Sequence, residues 1–76
     1  MTETKLDPDY YTAARDGAGN IRLNRGSGLL VADADATREE VQRWYEQAQR
    51  SVAANRDHWI RQYKAALELI DSEAGR

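Results

Sequence analysis

His58 is the only histidine in the chain, so it is the first residue to consider for acid–base or metal chemistry. A catalytic histidine needs a nucleophile and an orienting group, and a metal-binding histidine on a helix needs further ligands at neighbouring positions of the same face. The residues four positions away are Ala54 and Gln62, which supply neither. The sequence therefore predicts a partly exposed helical histidine without a catalytic or metal-binding role.

Two short motifs imitate ligand-binding loops but lack the residues that define them. Residues 33–35 (DAD) begin like a calcium loop, which has glycine at its sixth position and glutamate at its twelfth. The corresponding residues here are Arg38 and Trp44. Residues 26–28 (GSG) fit neither a nucleophile elbow nor a phosphate-binding loop. We therefore expect no enzyme activity, no metal and no cofactor.

The composition limits the class of protein. A chain of 76 residues forms one small domain of marginal stability, and the absence of cysteine excludes disulfides and is compatible with a reducing compartment. No apolar run approaches the ~20 residues needed to span a bilayer, so a cytoplasmic protein is expected. Arginine outnumbers lysine nine to two and alanine occurs twelve times. This usage is typical of G+C-rich coding, and suggests a bacterial or phage accessory protein.

The charge distribution disfavours nucleic acid as a partner. The net charge is -2, and residues 37–76 carry seven acidic and seven basic side chains. Binding to the phosphate backbone depends on an excess of lysine and arginine, which is lacking here.

Residues 37–74 carry apolar side chains at helical spacing. At 100° per residue, eleven positions fall within about 60° of one direction: Val41, Trp44, Tyr45, Ala48, Val52, Asn55, Trp59, Gln62, Tyr63, Ala66 and Ile70. We call this set the apolar face. Thr37 and Glu40 fit a capping box at the start, and Gly75 follows the end. The pattern predicts one long amphipathic α-helix.

The alternative is a helix broken near residues 55–58, where Asn55 or Asp57 could begin a second helix. A turn usually resets the apolar phase, yet Val41 and Trp59 are eighteen residues apart, which is five helical turns. The phase therefore favours the continuous helix. Such a helix would be about 54 Å long, and its own small domain could not cover it.

The first 36 residues predict a small antiparallel β-meander of two or three strands. Three short runs, 10–15, 21–25 and 29–32, are separated by the turn-forming segments DGAGN and GSG. Ile21 and Leu23 alternate with polar residues, and we expect them to pack on the helix together with Leu29 and Val31. Residues 1–9 are expected to form a flexible arm and residues 10–74 a single α+β domain.

The aromatic residues of the apolar face are the best candidates for a binding surface, because aromatic side chains are enriched at interface hot spots. We expect a non-enzymatic interaction protein that forms a homo-oligomer, most simply a dimer, or binds another protein through this face. The predicted interface residues are Trp44, Tyr45, Val52, Asn55, Trp59, Tyr63 and Ile70.

The alternative function is that of a nucleic-acid-binding regulator. The run Ile21–Arg25 resembles the β-ribbon of ribbon-helix-helix repressors, which enters the major groove. By this resemblance Arg22, Asn24 and Arg25 would contact the nucleic acid. The chain departs from that pattern because eleven residues, GSGLLVADADA, intervene before its one predicted helix.

Overall fold

Three short strands are followed by two helices in the computed structural model, which describes residues 10–75. The strands are β1 (Ala14–Arg15), β2 (Ile21–Arg22) and β3 (Leu30–Ala32), and the helices are α1 (Arg38–Arg50) and α2 (Arg56–Ala74). The predicted α+β class and meander are confirmed. The predicted arm, residues 1–9, lies outside the described residues.

The sheet is antiparallel in the order β1-β2-β3. Ala14 pairs with Arg22, and Ile21 pairs with both Arg15 and Ala32, so β2 is the central strand. The alternation predicted for β2 is confirmed, since Ile21 and Leu23 are both fully buried. Leu29 was expected in the core, but 46% of its surface is exposed. It precedes β3, at the point where the chain leaves the turn after β2, and it is not among the residues packed against the core cluster.

Asp16 organises the turn between β1 and β2. Its Oδ1 accepts hydrogen bonds from the backbone N–H groups of Ala18 (2.9 Å) and Asn20 (3.0 Å). Its Oδ2 accepts from Nε of Arg22 at 2.6 Å. The turn also needs Gly19, which has a φ of 87°, a conformation that glycine adopts without steric cost. One carboxylate thus connects the turn to the central strand.

The turn after β2 passes through three consecutive left-handed residues. The φ angles are 58° at Asn24, 59° at Arg25 and 90° at Gly26. Such angles are unfavourable for arginine. The backbone N–H groups of Asn24 and Arg25 donate to the carbonyl oxygens of Tyr10 (3.1 Å) and Thr12 (3.0 Å). These bonds compensate for the strain and connect the turn to the segment that precedes β1.

The predicted continuous helix is wrong, because the chain leaves helical geometry between Arg50 and Arg56. The alternative of a second helix that begins after Asn55 is the one observed, with the break at residues 51–55 instead of 55–58. We call residues 51–55 (SVAAN) the connection. Ser51 is extended, with ψ of 148°, and its hydroxyl accepts a hydrogen bond from the N–H of Ala53 at 3.1 Å. The guanidinium of Arg56 donates twice to the carbonyl oxygen of Gln49, at 3.0 and 3.2 Å. These bonds satisfy backbone groups that the interruption exposes.

Packing explains why the chain forms two helices although its sequence would also allow a continuous helix. Together α1, the connection and α2 form a helical hairpin, residues 38–74. In this hairpin the two helices bury apolar residues against each other and against the sheet. Burial of this kind commonly overrides helix propensity. The longest dimension of the molecule is 44 Å, shorter than the ~54 Å of the expected continuous helix. Gaining a core thus outweighs the few helical hydrogen bonds that the connection gives up.

The core lies where the sheet meets both helices. The core cluster consists of Ile21 and Ala32 from the sheet, Val41 from α1, and Ala66 and Leu67 from α2. Thr37 and Glu40 form the predicted capping box at the start of α1.

Ion pairs within residues 10–75 connect α2 to β1 and to the start of α1. Arg15 of β1 binds Glu73 at 2.9 Å. Arg38, the first residue of α1, binds Asp71 at 2.7 Å. Both pairs are substantially exposed, so they add little to the free energy of unfolding, but they define which positions of α2 lie beside β1 and the start of α1.

Candidate interaction surface

The aromatic residues predicted to form an interface lie on both helices, at the edge of the core. Trp44 and Tyr45 of α1 and Tyr63 of α2 pack against the core cluster while remaining partly exposed. The ring centroids of Trp44 and Tyr63 are 6.1 Å apart, with 47° between the ring planes. The hairpin therefore brings together aromatic side chains nineteen positions apart in the sequence. With Trp59, also partly exposed, they are called the hairpin aromatics.

The other predicted interface residues are distributed differently. Ile70 packs against the core cluster from α2. Val52 and Asn55 both belong to the connection and do not touch the core: Val52 is 100% exposed, and Asn55 is exposed at the position before α2. The structure thus gathers most of the predicted interface along the hairpin and leaves two of its members at the tip.

The hairpin also removes one reason to expect a second copy. That expectation was based on a helix too long for its own chain to cover, whereas α1 and α2 partly cover each other. Oligomerisation through these residues stays a prediction, supported now by the partial exposure of the hairpin aromatics rather than by helix length.

Among the residues of the alternative nucleic-acid surface, Arg22 has its side chain engaged within the chain. The Nε of Arg22 binds the Asp16 carboxylate, and its Nη1 donates to the carbonyl oxygen of Gly28 at 3.0 Å. Asn24 and Arg25 form the left-handed turn, and their N–H groups are satisfied by the segment before β1. The Arg22 guanidinium therefore stabilises the turns on either side of β2. These contacts reduce its availability to bind a phosphate or a base.

No protein-family model, curated protein or solved structure matches the chain. Within residues 10–75, neither helix is both long and apolar enough to cross a bilayer. The same part of the chain contains no cluster of three or more histidine, cysteine, aspartate or glutamate residues that could hold a metal ion.

His58 has a partner that sequence reasoning missed. The hydroxyl of Tyr11 lies 2.7 Å from Nδ1 of His58, and the two rings meet edge to face with centroids 5.5 Å apart. Tyr10 packs edge to face on Tyr11 at 4.8 Å. The guanidinium carbon of Arg61 lies 5.6 Å from the centroid of the Tyr11 ring, within the range of a cation–π contact.

This cluster attaches the segment before β1 to the first turns of α2. Burial, with a smaller contribution from Tyr10 and an opposing one from Arg61, raises the pKa of Tyr11 above its usual value. A tyrosine phenol is protonated at neutral pH even without this shift, so the Tyr11 hydroxyl can donate to His58 in the tautomer that leaves Nδ1 without a hydrogen. A shallow cavity of about 180 Å³ beside the cluster is lined by Tyr11, Arg61, Lys64, Ala65 and Glu68. Its described lining includes no serine, threonine or cysteine.

A second, larger depression of about 570 Å³ lies against the connection. Its walls are the end of α1, the connection itself and the first two residues of α2. The chain between the helices is therefore loosely packed, in contrast to the close contact of α1 with α2.

Proposed function

We propose that the protein acts by protein–protein association, without chemistry of its own, and that the helical hairpin is the associating surface. The observation that carries this proposal is the partial exposure of the hairpin aromatics Trp44, Tyr45, Trp59 and Tyr63. Rings of this size contribute most when fully removed from water, and tryptophan and tyrosine are the residues most enriched among interface hot spots.

The small size of the core supports the proposal. The largest fully buried side chains among the described residues are Ile21, Leu23 and Val41, and four of the eight buried apolar residues are alanines. A domain of this length is marginally stable even with a well-filled core. Covering the hairpin aromatics with a second protein surface would therefore stabilise the fold while forming the complex.

The environment of His58 supports a non-enzymatic role. The imidazole, the only one in the chain, is used to hold Tyr11 in place. The absence of cysteine is compatible with a reducing compartment, and we place the protein in the cytoplasm as part of the same proposal.

Sedimentation equilibrium of the wild type, Trp59→Ala and Leu29→Ala tests the proposal. We expect self-association of the wild type, weakened at least about tenfold by Trp59→Ala, since a hot-spot truncation costs more than 1 kcal/mol. Leu29→Ala removes an exposed apolar side chain outside the hairpin and is expected to leave association unchanged. Circular dichroism verifies that the helices persist in each variant. Equal association in both variants would contradict the proposed surface, and a wild type that is monomeric at every concentration would contradict self-association through it.

A further inference from the structure

The connection is built from residues that a helix accepts. Residues 51–55 contain neither glycine nor proline, and two of the five are alanine, the strongest helix former. Helices commonly end with a glycine in the left-handed conformation, and a proline often follows within one or two residues. Here α1 ends because Ser51 turns to an extended ψ of 148°. Neither stop signal is present here, so the interruption depends on tertiary packing together with the local hydrogen bonds of Ser51 and Arg56.

The apolar phase runs through the connection without a shift. In a continuous helix Val52 would point within about 20° of the direction of Val41 and Trp59. In the hairpin it is 100% exposed. Asn55 precedes α2 without making a side-chain capping bond. On a continuous helix both residues would therefore lie on the apolar face, whereas in the hairpin neither contributes to the packing of the helices.

The contacts between the helices define where two continuous helices would cross. Trp44 lies beside Tyr63, and Arg38 binds Asp71. The midpoints of these two pairs fall between residues 53 and 54 and between residues 54 and 55. If the same contacts formed between two antiparallel copies, the two-fold axis would pass through the connection. Val52 of each copy would then lie beside Asn55 of the other.

We infer that the connection is a hinge for domain swapping, and that the partner of the hairpin is a second copy of this chain. In the swapped dimer residues 51–55 become helical, α1 and α2 form one helix, and α2 packs on the sheet and α1 of the other copy. This inference rests on the proposed function, because it names the partner and the mode of association.

The swapped state keeps the contacts of the closed molecule and adds new ones. The ion pairs of Arg15 with Glu73 and of Arg38 with Asp71, and the bond between Tyr11 and His58, form between copies instead of within one. The connection gains helical hydrogen bonds, and Val52 is withdrawn from water near the axis. The bonds of Arg56 to Gln49 are given up. Identical interfaces make exchange between copies a low-cost route to a dimer.

Cross-linking shows whether the thiols that replace Arg38 and Asp71 lie together within one chain or between two chains. The chain has no cysteine, so the double variant Arg38→Cys, Asp71→Cys carries the only two thiols. Both side chains are about half exposed, and replacing a surface ion pair costs little stability. A short bis-maleimide should join the two thiols, and denaturing mass analysis then shows whether they belong to one chain or two. The two single variants are the controls for random collision.

Substitution at the hinge gives an independent test. Val52→Asp introduces a charge beside the two-fold axis of the swapped dimer, but at a fully exposed site of the closed hairpin. Ala54→Asp is the matched control, because residue 54 is exposed in the hairpin and points away from the apolar face of a continuous helix. We expect Val52→Asp to weaken the dimer at least about tenfold relative to Ala54→Asp, as loss of one buried valine contact implies.

The outcomes separate the two proposals. A covalent dimer from the double variant, together with dissociation by Val52→Asp, establishes the swap. A native dimer whose cross-link lies within one chain overturns the swap and leaves association through the hairpin standing. A native monomer at every concentration, again with an intrachain cross-link, overturns both the swap and self-association.

Discussion

Replacing Gln62 with methionine should stabilise the protein. Gln62 lies on α2, only 6% of its surface is exposed, and its Oε1 has no hydrogen-bond partner among the described residues. An amide oxygen buried without a partner costs about 1–3 kcal/mol. Methionine has nearly the same length and shape, so Gln62→Met removes the unsatisfied oxygen without leaving a cavity.

The expected gain is large for a protein of this size. A domain of 76 residues has a free energy of unfolding of about 4–11 kcal/mol. Removing the penalty should raise this free energy by about 1–3 kcal/mol. The Tm should rise by roughly 4–8 °C for each kcal/mol gained.

Urea and thermal unfolding followed by circular dichroism measure the change. Both are done at one fixed protein concentration, because self-association makes apparent stability depend on concentration. The control is Gln47→Met, which makes the same substitution at an exposed position of α1 and should change the free energy of unfolding by less than about 0.5 kcal/mol. If Gln62→Met is destabilising while the control is neutral, the Gln62 amide has a favourable partner and the reasoning from its burial fails.

Two further substitutions test the turn and the helix start. The Arg22 guanidinium, helped by two backbone N–H groups, lowers the pKa of Asp16 from 3.8 to about 2. A carboxyl whose pKa is lowered on folding stabilises the folded state above the unfolded pKa and loses that effect as the pH falls towards the folded one. The stability difference between wild type and Asp16→Asn, measured by urea unfolding, should therefore be constant above about pH 5 and shrink between about pH 4 and pH 2; a difference independent of pH would refute the ionic role of Asp16. Thr37→Ala should lower the free energy of unfolding by about 1 kcal/mol through loss of the cap, whereas Thr37→Ser keeps the hydroxyl and should restore most of it; equal losses in both variants would show that the cap bond contributes nothing.

Features determined by neighbouring residues could be predicted from the sequence. The capping box needs only Thr37 and Glu40, three positions apart, and the structure contains it. The burial of Ile21 and Leu23 follows from their alternation with polar residues. Both signals depend on residues two or three positions apart, whose relative placement is determined by local backbone geometry.

Features determined by distant contacts could not be predicted in the same way. The connection keeps the apolar phase, so periodicity could not reveal it, although Asn55 marked the position from which α2 begins. The packing of α1 on α2 decides between the two alternatives. The partnership of Tyr11 with His58 spans 47 positions. The only sequence signal for it was a pair of adjacent tyrosines before β1, which gives no indication of its partner.

The positions of the core residues along the chain also determine when the protein can fold during its synthesis. The sheet, with Ile21 and Ala32, leaves the ribosome first, but its packing partners Ala66 and Leu67 and the ion-pairing residue Glu73 are made last. A sheet of three such short strands is not stable without those partners. Folding should therefore wait until translation is nearly complete, and a chain truncated within α2 should remain unfolded and be exposed to cellular proteases.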